Sequence, residues 1–190
     1  MGRLGLLDFV LMLIILTSGT LAVWTGQMAG SRMSPAGAAQ TSEFLDELEL
    51  PRQLPNESVA EADGKQVMLW SLIPHPRNIV TVYAPWCAPC QKELPVIHSE
   101  MNGRGNLVVL ISQKEDMKKV KEQLENLGLG HIRFYRDVTG RILTKSKVRT
   151  LPTTFLTKEH GKVLDRVTGY SDYRLKRIVK RANPEIDGKS

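Results

Sequence analysis

The chain has 190 residues, 42% of them hydrophobic and 24% charged, which is enough for one domain with a full core plus tails. Its formal net charge of +6 arises from 26 basic and 20 acidic residues with no long basic run, so acidic surfaces or anionic headgroups suit it better than nucleic acid. Two cysteines exclude a disulfide-built scaffold and, unless histidines converge on them, a four-ligand zinc site.

Residues 1–3 are a short flank. Residues 4–24, LGLLDFVLMLIILTSGTLAVW, are apolar apart from Asp8 and a few small polar residues. As a helix they would span roughly 30 Å, the thickness of a bilayer's hydrocarbon core. The run closes on Leu21-Ala22-Val23-Trp24 instead of a small-x-small cleavage site, and a tryptophan suits the interface, so the segment reads as an uncleaved transmembrane anchor. A signal peptide cleaved near Ala36 to Ala39 is the alternative. Arg3 and the amino terminus on one side and Arg32 on the other give charge only a slight preference for an inside amino terminus. Residues 25–57 are rich in Gly, Ala, Ser and Pro and read as a linker that lifts a domain off the membrane, with LDELELP forming either a short helix or an edge contact.

The domain proper is placed at 58–182, followed by a tail at 183–190. Val67 to Leu72 reads as a strand after a turn at Asp63-Gly64-Lys65, and Asn78 to Tyr83 as a buried central strand. A helix is predicted from the cysteines to Met101, with Leu94, Ile97 and Met101 on one face. Leu107 to Ser112 is a second buried strand. Lys114 to Leu127 is a helix with Met117, Val120, Leu124 and Leu127 inward, stopped by Gly128. Ile132 to Tyr135 is predicted as a strand and Thr139 to Lys147 as a short helix. Thr153 to Leu156 and Val163 to Thr168 flank a turn at His160-Gly161, and a last helix runs from a Ser171 cap to Ala182 before Pro184. Strands alternating with helices imply an α/β domain whose sheet is covered on both faces, with right-handed crossovers.

Both cysteines fall within YAPWCAPCQKELP, Tyr83 to Pro95. At the start of a helix, a spacing of three places the sulfurs of Cys87 and Cys90 on one side of the first turn, close enough for a disulfide. Cys87 is expected to face solvent at the positive end of the helix, where a thiolate is favoured and can attack; Cys90, deeper, can resolve the mixed disulfide. Ala88 and Pro89 are the redox-tuning positions, since Pro89 removes an N–H and stiffens the loop. Pro95 cannot donate to Gln91's carbonyl and is expected to kink the helix. Trp86 is expected to shield the disulfide and to offer substrate an apolar contact. Half a zinc site is the other reading of C-x-x-C, but no second cysteine pair exists, and His75, His98, His131 and His160 show no ligand spacing.

Trp86-Cys87-Ala88-Pro89-Cys90 followed by Glu93-Leu94-Pro95, together with Val148-Arg149-Thr150-Leu151-Pro152-Thr153-Thr154-Phe155-Leu156 and Gly161-Lys162-Val163, resembles the membrane-anchored thioredoxin-fold thiol–disulfide oxidoreductases of the TlpA/ResA/DsbE-like type. The resemblance covers roughly Ser58 to Ala182 and rests on two motifs in order, about sixty residues apart. It implies a thioredoxin-like fold: a central mixed sheet flanked by helices, with an extra strand and helix between Leu107 and Arg136. It implies a cis Leu151–Pro152 bond against the disulfide, with Leu151's backbone pairing an extended substrate segment. Ordinary thioredoxins carry a buried acid where this chain has Thr81. The resemblance moves that role to Glu93, which would take the proton from Cys90.

By the same resemblance the protein reduces disulfides of exported proteins, apocytochrome c among them, at the extracytoplasmic side of the inner membrane. It needs no cofactor beyond the Cys87/Cys90 pair and no metal, and is re-reduced by a membrane electron donor of the DsbD/CcdA type. A disulfide oxidase on the same scaffold and a Cu(I) carrier using both thiolates are the competing functions.

Overall fold

The computed structural model describes residues 50–183. The anchor read at 4–24, most of the linker and the tail beyond Asn183 lie outside the described residues, among which no helix is long and apolar enough to cross a membrane.

The sheet is built around β3 (Asn78–Tyr83), whose six residues are all buried. A β-branched run with no exposed position suits a strand covered on both faces. It pairs in parallel with β4 (Asn106–Ile111) and antiparallel with β6 (Thr153–Thr157). With β1 (Ser58–Ala60), β2 (Gln66–Met68), β5 (Phe134–Asp137) and β7 (Val163–Thr168), the seven-stranded mixed sheet has the order β2-β1-β5-β4-β3-β6-β7.

Alternation along β3 and β4 divides the core. Val80, Val82, Val108 and Leu110 pack with Leu69, Ile73, Ile142 and Phe155 on one face. Ile79, Tyr83, Val109 and Ile111 face the other way, toward α1 (Ala88–Met101), α2 (Met117–Asn126) and α4 (Asp172–Ala182). Each fully buried aliphatic side chain contributes about 1.5–3 kcal/mol, so these two layers hold the central strand, and with it the start of α1, in place.

Several boundaries differ from the sequence expectations. The strand read at Val67 to Leu72 stops at Met68 and continues as a 3₁₀ turn, Leu69–Leu72. Leu69 and Ile73 both drop into the core, and the Leu69 N–H bonds the Glu57 carbonyl at 3.0 Å, so the chain curls instead of extending. Ser58–Ala60, unassigned in the sequence, is a strand. The folded unit also starts ahead of Ser58: Leu54, in the segment read as linker, is 1% exposed, and its N–H bonds Gly161 at 2.8 Å. The second helix begins three residues later than read, because Asp116 caps it by accepting from the Lys118 N–H at 2.9 Å. β5 is shifted toward the carboxyl terminus and ends in buried Asp137, whose carboxylate accepts from the Gly140 and Leu143 N–H groups at 2.9 and 3.1 Å. The short helix that follows, α3, spans only Arg141–Lys145. Ser171 occupies the cap position of α4 without a side-chain capping bond.

Candidate active site

The loop from Ala84 turns at the end of β3, and its exit is closed by the Cys87 N–H bonding the Ala84 carbonyl at 3.1 Å. Gln91 Nε2 reaches back to the Pro85 carbonyl at 2.7 Å and ties the loop to the first turn of α1. Cys87 is the N-cap residue. Its Sγ accepts from the Cys90 N–H at 3.2 Å, one of the donors a helix start leaves unpaired. The two sulfurs are joined in a disulfide with the Cα atoms 5.2 Å apart. Pro95 lies inside a helix that continues unbroken to Met101.

Exposure corrects one expectation. Cys87 is the more accessible sulfur residue, but at 4% against 1% for Cys90 both are buried in the oxidised form. They sit in a cluster with Tyr83, Ala84 and Leu94, against which Leu151 packs. Around this buried bond, Trp86, Ala88 and Pro89 are exposed. Trp86 is 70% exposed and donates its indole N–H to Glu115 at 2.9 Å. The Leu151–Pro152 bond is cis, Pro152 is buried, and its carbonyl accepts from the Gly169 N–H at 2.8 Å.

Glu93 follows Cys90 by three positions on α1, within one turn, and is 1% exposed. Its Oε1 accepts from the Thr154 hydroxyl at 2.5 Å and from the Thr81 hydroxyl at 3.2 Å, and those hydroxyls are 2.7 Å apart. Thr81 and Thr154 are register partners on β3 and β6. The acid on the helix therefore points into the sheet at the position where the central strand carries a threonine. Burial pushes the Glu93 carboxyl up to about 7, against the lowering effect of the two hydroxyls, and Oε2 has no hydrogen-bond partner. A carboxyl poised near neutrality can both take and return a proton.

Thr154 escapes sequence reasoning because a threonine in a β-branched strand looks like a strand former; only its register opposite Thr81 marks it. The histidines, which show no ligand spacing in sequence, are partly gathered by the fold: His98 Nε2 and His131 Nε2 are 3.0 Å apart.

The comparisons with known proteins point the same way as the geometry. No protein-family model matches the chain. It is 24% identical over 143 residues to the thiol-disulfide oxidoreductase ResA of Bacillus thuringiensis (strain Al Hakam), covering 73% of this chain and 82% of that one. It is 28% identical over 118 residues to ResA of Bacillus subtilis (strain 168), covering 60% and 65% respectively. Among solved structures, that of MTB DsbF superposes with a TM-score of 0.58 at 24% identity, covering 70% of this chain and 99% of that one. The domain is thioredoxin-like. Its similarity to curated proteins is to thiol–disulfide oxidoreductases of the ResA type, and the thioredoxin-like domain holds the Cys-x-x-Cys pair that such chemistry requires.

Proposed function

We propose that this protein is a membrane-tethered thiol–disulfide oxidoreductase that works as a reductase on exported proteins. The observation that carries the reading is the Cys87–Cys90 bond at the mouth of α1 with a buried, near-neutral carboxyl one turn further on. The Cys87 thiolate attacks one sulfur of a substrate disulfide and expels the other as a thiolate that takes up a proton. Cys90 then gives its proton to Glu93 and attacks Cys87 Sγ. The internal disulfide forms, and the substrate leaves as a dithiol. Two electrons have passed from the cysteine pair to the substrate, and the sulfurs are the only carriers needed.

Leu151, which packs against the cysteine cluster, with Pro152 and exposed Trp86 would offer an extended substrate segment its docking edge. The apolar segment at 4–24 supports single-pass anchoring in the inner membrane with the domain on the extracytoplasmic side. The resemblance to TlpA/ResA/DsbE-like proteins supports apocytochrome c as a substrate class and a DsbD/CcdA-type protein as electron donor. Cys90→Ser tests the central step. The variant should accumulate a mixed disulfide through Cys87 with exported thiol proteins, detected by mass spectrometry of non-reduced adducts; absence of any adduct under conditions where the wild type turns over insulin disulfides would refute it.

A further inference from the structure

We propose that His98 and His131 form a two-imidazole clamp for a divalent transition-metal ion of the zinc type, separate from the cysteine pair. His98 lies in the last turn of α1, and His131 in the loop between α2 and β5. Their rings meet edge to face, with centroids 4.8 Å apart and Nε2 atoms 3.0 Å apart. This contact requires one ring to donate and the other to accept, so at least one lone pair is already directed at the junction. A tetrahedral zinc ion with Zn–N bonds of about 2.0–2.1 Å holds neighbouring nitrogens roughly 3.3–3.4 Å apart, a few tenths of an ångström from the spacing present. Binding asks only that the donor ring carry its proton on Nδ1, freeing both Nε2 lone pairs; no net proton need be lost from a neutral pair.

Two features favour a metal over an idle contact. The carboxyl end of α1 carries the negative pole of a fourteen-residue helix, which suits a cation. His131 is exposed and His98 half-buried, so an ion can enter from solvent and keep water on its remaining positions. Among the described residues no cluster of three or more ligating side chains exists, so this is an open two-ligand site, not a closed structural one. It lies about 12 Å along the helix from Cys90 at 1.5 Å per residue, too far for the thiolates to share the ion. A bound ion would staple the helix that starts at the disulfide to the segment entering β5.

The test uses the full chain with its disulfide intact, so that no cysteine thiol competes. Zn²⁺ alone is titrated against a chromogenic chelator while histidine ring nitrogens are followed by ¹⁵N NMR. The expected result is one ion per chain, with the Nε2 resonances of His98 and His131 moving together and that of His160 staying fixed. His98→Gln and His131→Gln should each weaken binding at least tenfold. No binding at about 1 mM Zn²⁺, or affinity reduced by only one of the two substitutions or by neither, would overturn the proposal. Unchanged melting temperatures of both variants without metal separate loss of the site from loss of the fold.

Discussion

Glu93 shows how much one residue's surroundings decide. Its ordinary carboxyl value of 4.5 is raised to about 7 because the ionised form has almost no water and only two threonine hydroxyls to replace it. Between those two values the folded protein holds a proton that the unfolded chain has shed, so stability falls as pH rises from 4.5 to about 7 and is flat above it. The contribution amounts to about 3 kcal/mol. Glu93→Gln should remove that slope, and denaturant unfolding of the oxidised protein at a series of pH values checks it. If Glu93 takes the Cys90 proton, the same substitution should also slow resolution of the mixed disulfide by about a hundredfold while leaving alkylation of reduced Cys87 nearly unchanged. A stopped-flow trace of mixed-disulfide decay separates the two effects. At this scale the cysteines were legible from spacing, because their chemistry depends on one helical turn. Glu93 is legible only through resemblance, since an acid on a helix is usually solvated, and its two threonine partners depend on strand register that no local pattern displays.

Elements were legible where burial is uniform and obscured where polar groups are buried. β3 and β4 stand out as runs of β-branched and aliphatic residues, and α1 by the recurrence of Leu94, Ile97 and Met101. The bounds of β5 are not legible because its last residue, Asp137, looks like solvent-facing polarity yet binds the turn before α3. The 3₁₀ turn after β2 escaped because four apolar-rich residues read equally well as strand. The early segment around Leu54 was hidden by its linker-like surroundings, although it closes on the turn at Gly161. Gly161 has φ +76°, and a Cβ there would stand 2.9 Å from the Leu54 carbonyl oxygen and 2.8 Å from Trp70 Nε1. Gly161→Ala should therefore cost about 1–3 kcal/mol in the midpoint of denaturant unfolding. Asp116→Ala, which removes the cap of α2 without touching the core, should cost about 1 kcal/mol by the same measurement.

For the whole molecule, the sheet order brings three distant stretches to one end of the domain: the exit of β3 with its cysteines, the cis-proline turn into β6, and the β7–α4 turn at Gly169 that bonds Pro152. The alternation of strands and helices made the class of fold legible, whereas the mixed strand directions came from resemblance, because pairing is a long-range property. The proposed tether would confine the protein to substrates near the membrane. Direction of electron flow is then a property of the couple as a unit: a pair built to reduce must be harder to reduce than its targets. The equilibrium potential of Cys87/Cys90, measured on the full chain against dithiothreitol or glutathione buffers, tests this most directly. The expected result is a value well below about −200 mV. A value near the roughly −120 mV of a strong oxidant such as DsbA would contradict the reductase reading and make the protein a disulfide donor.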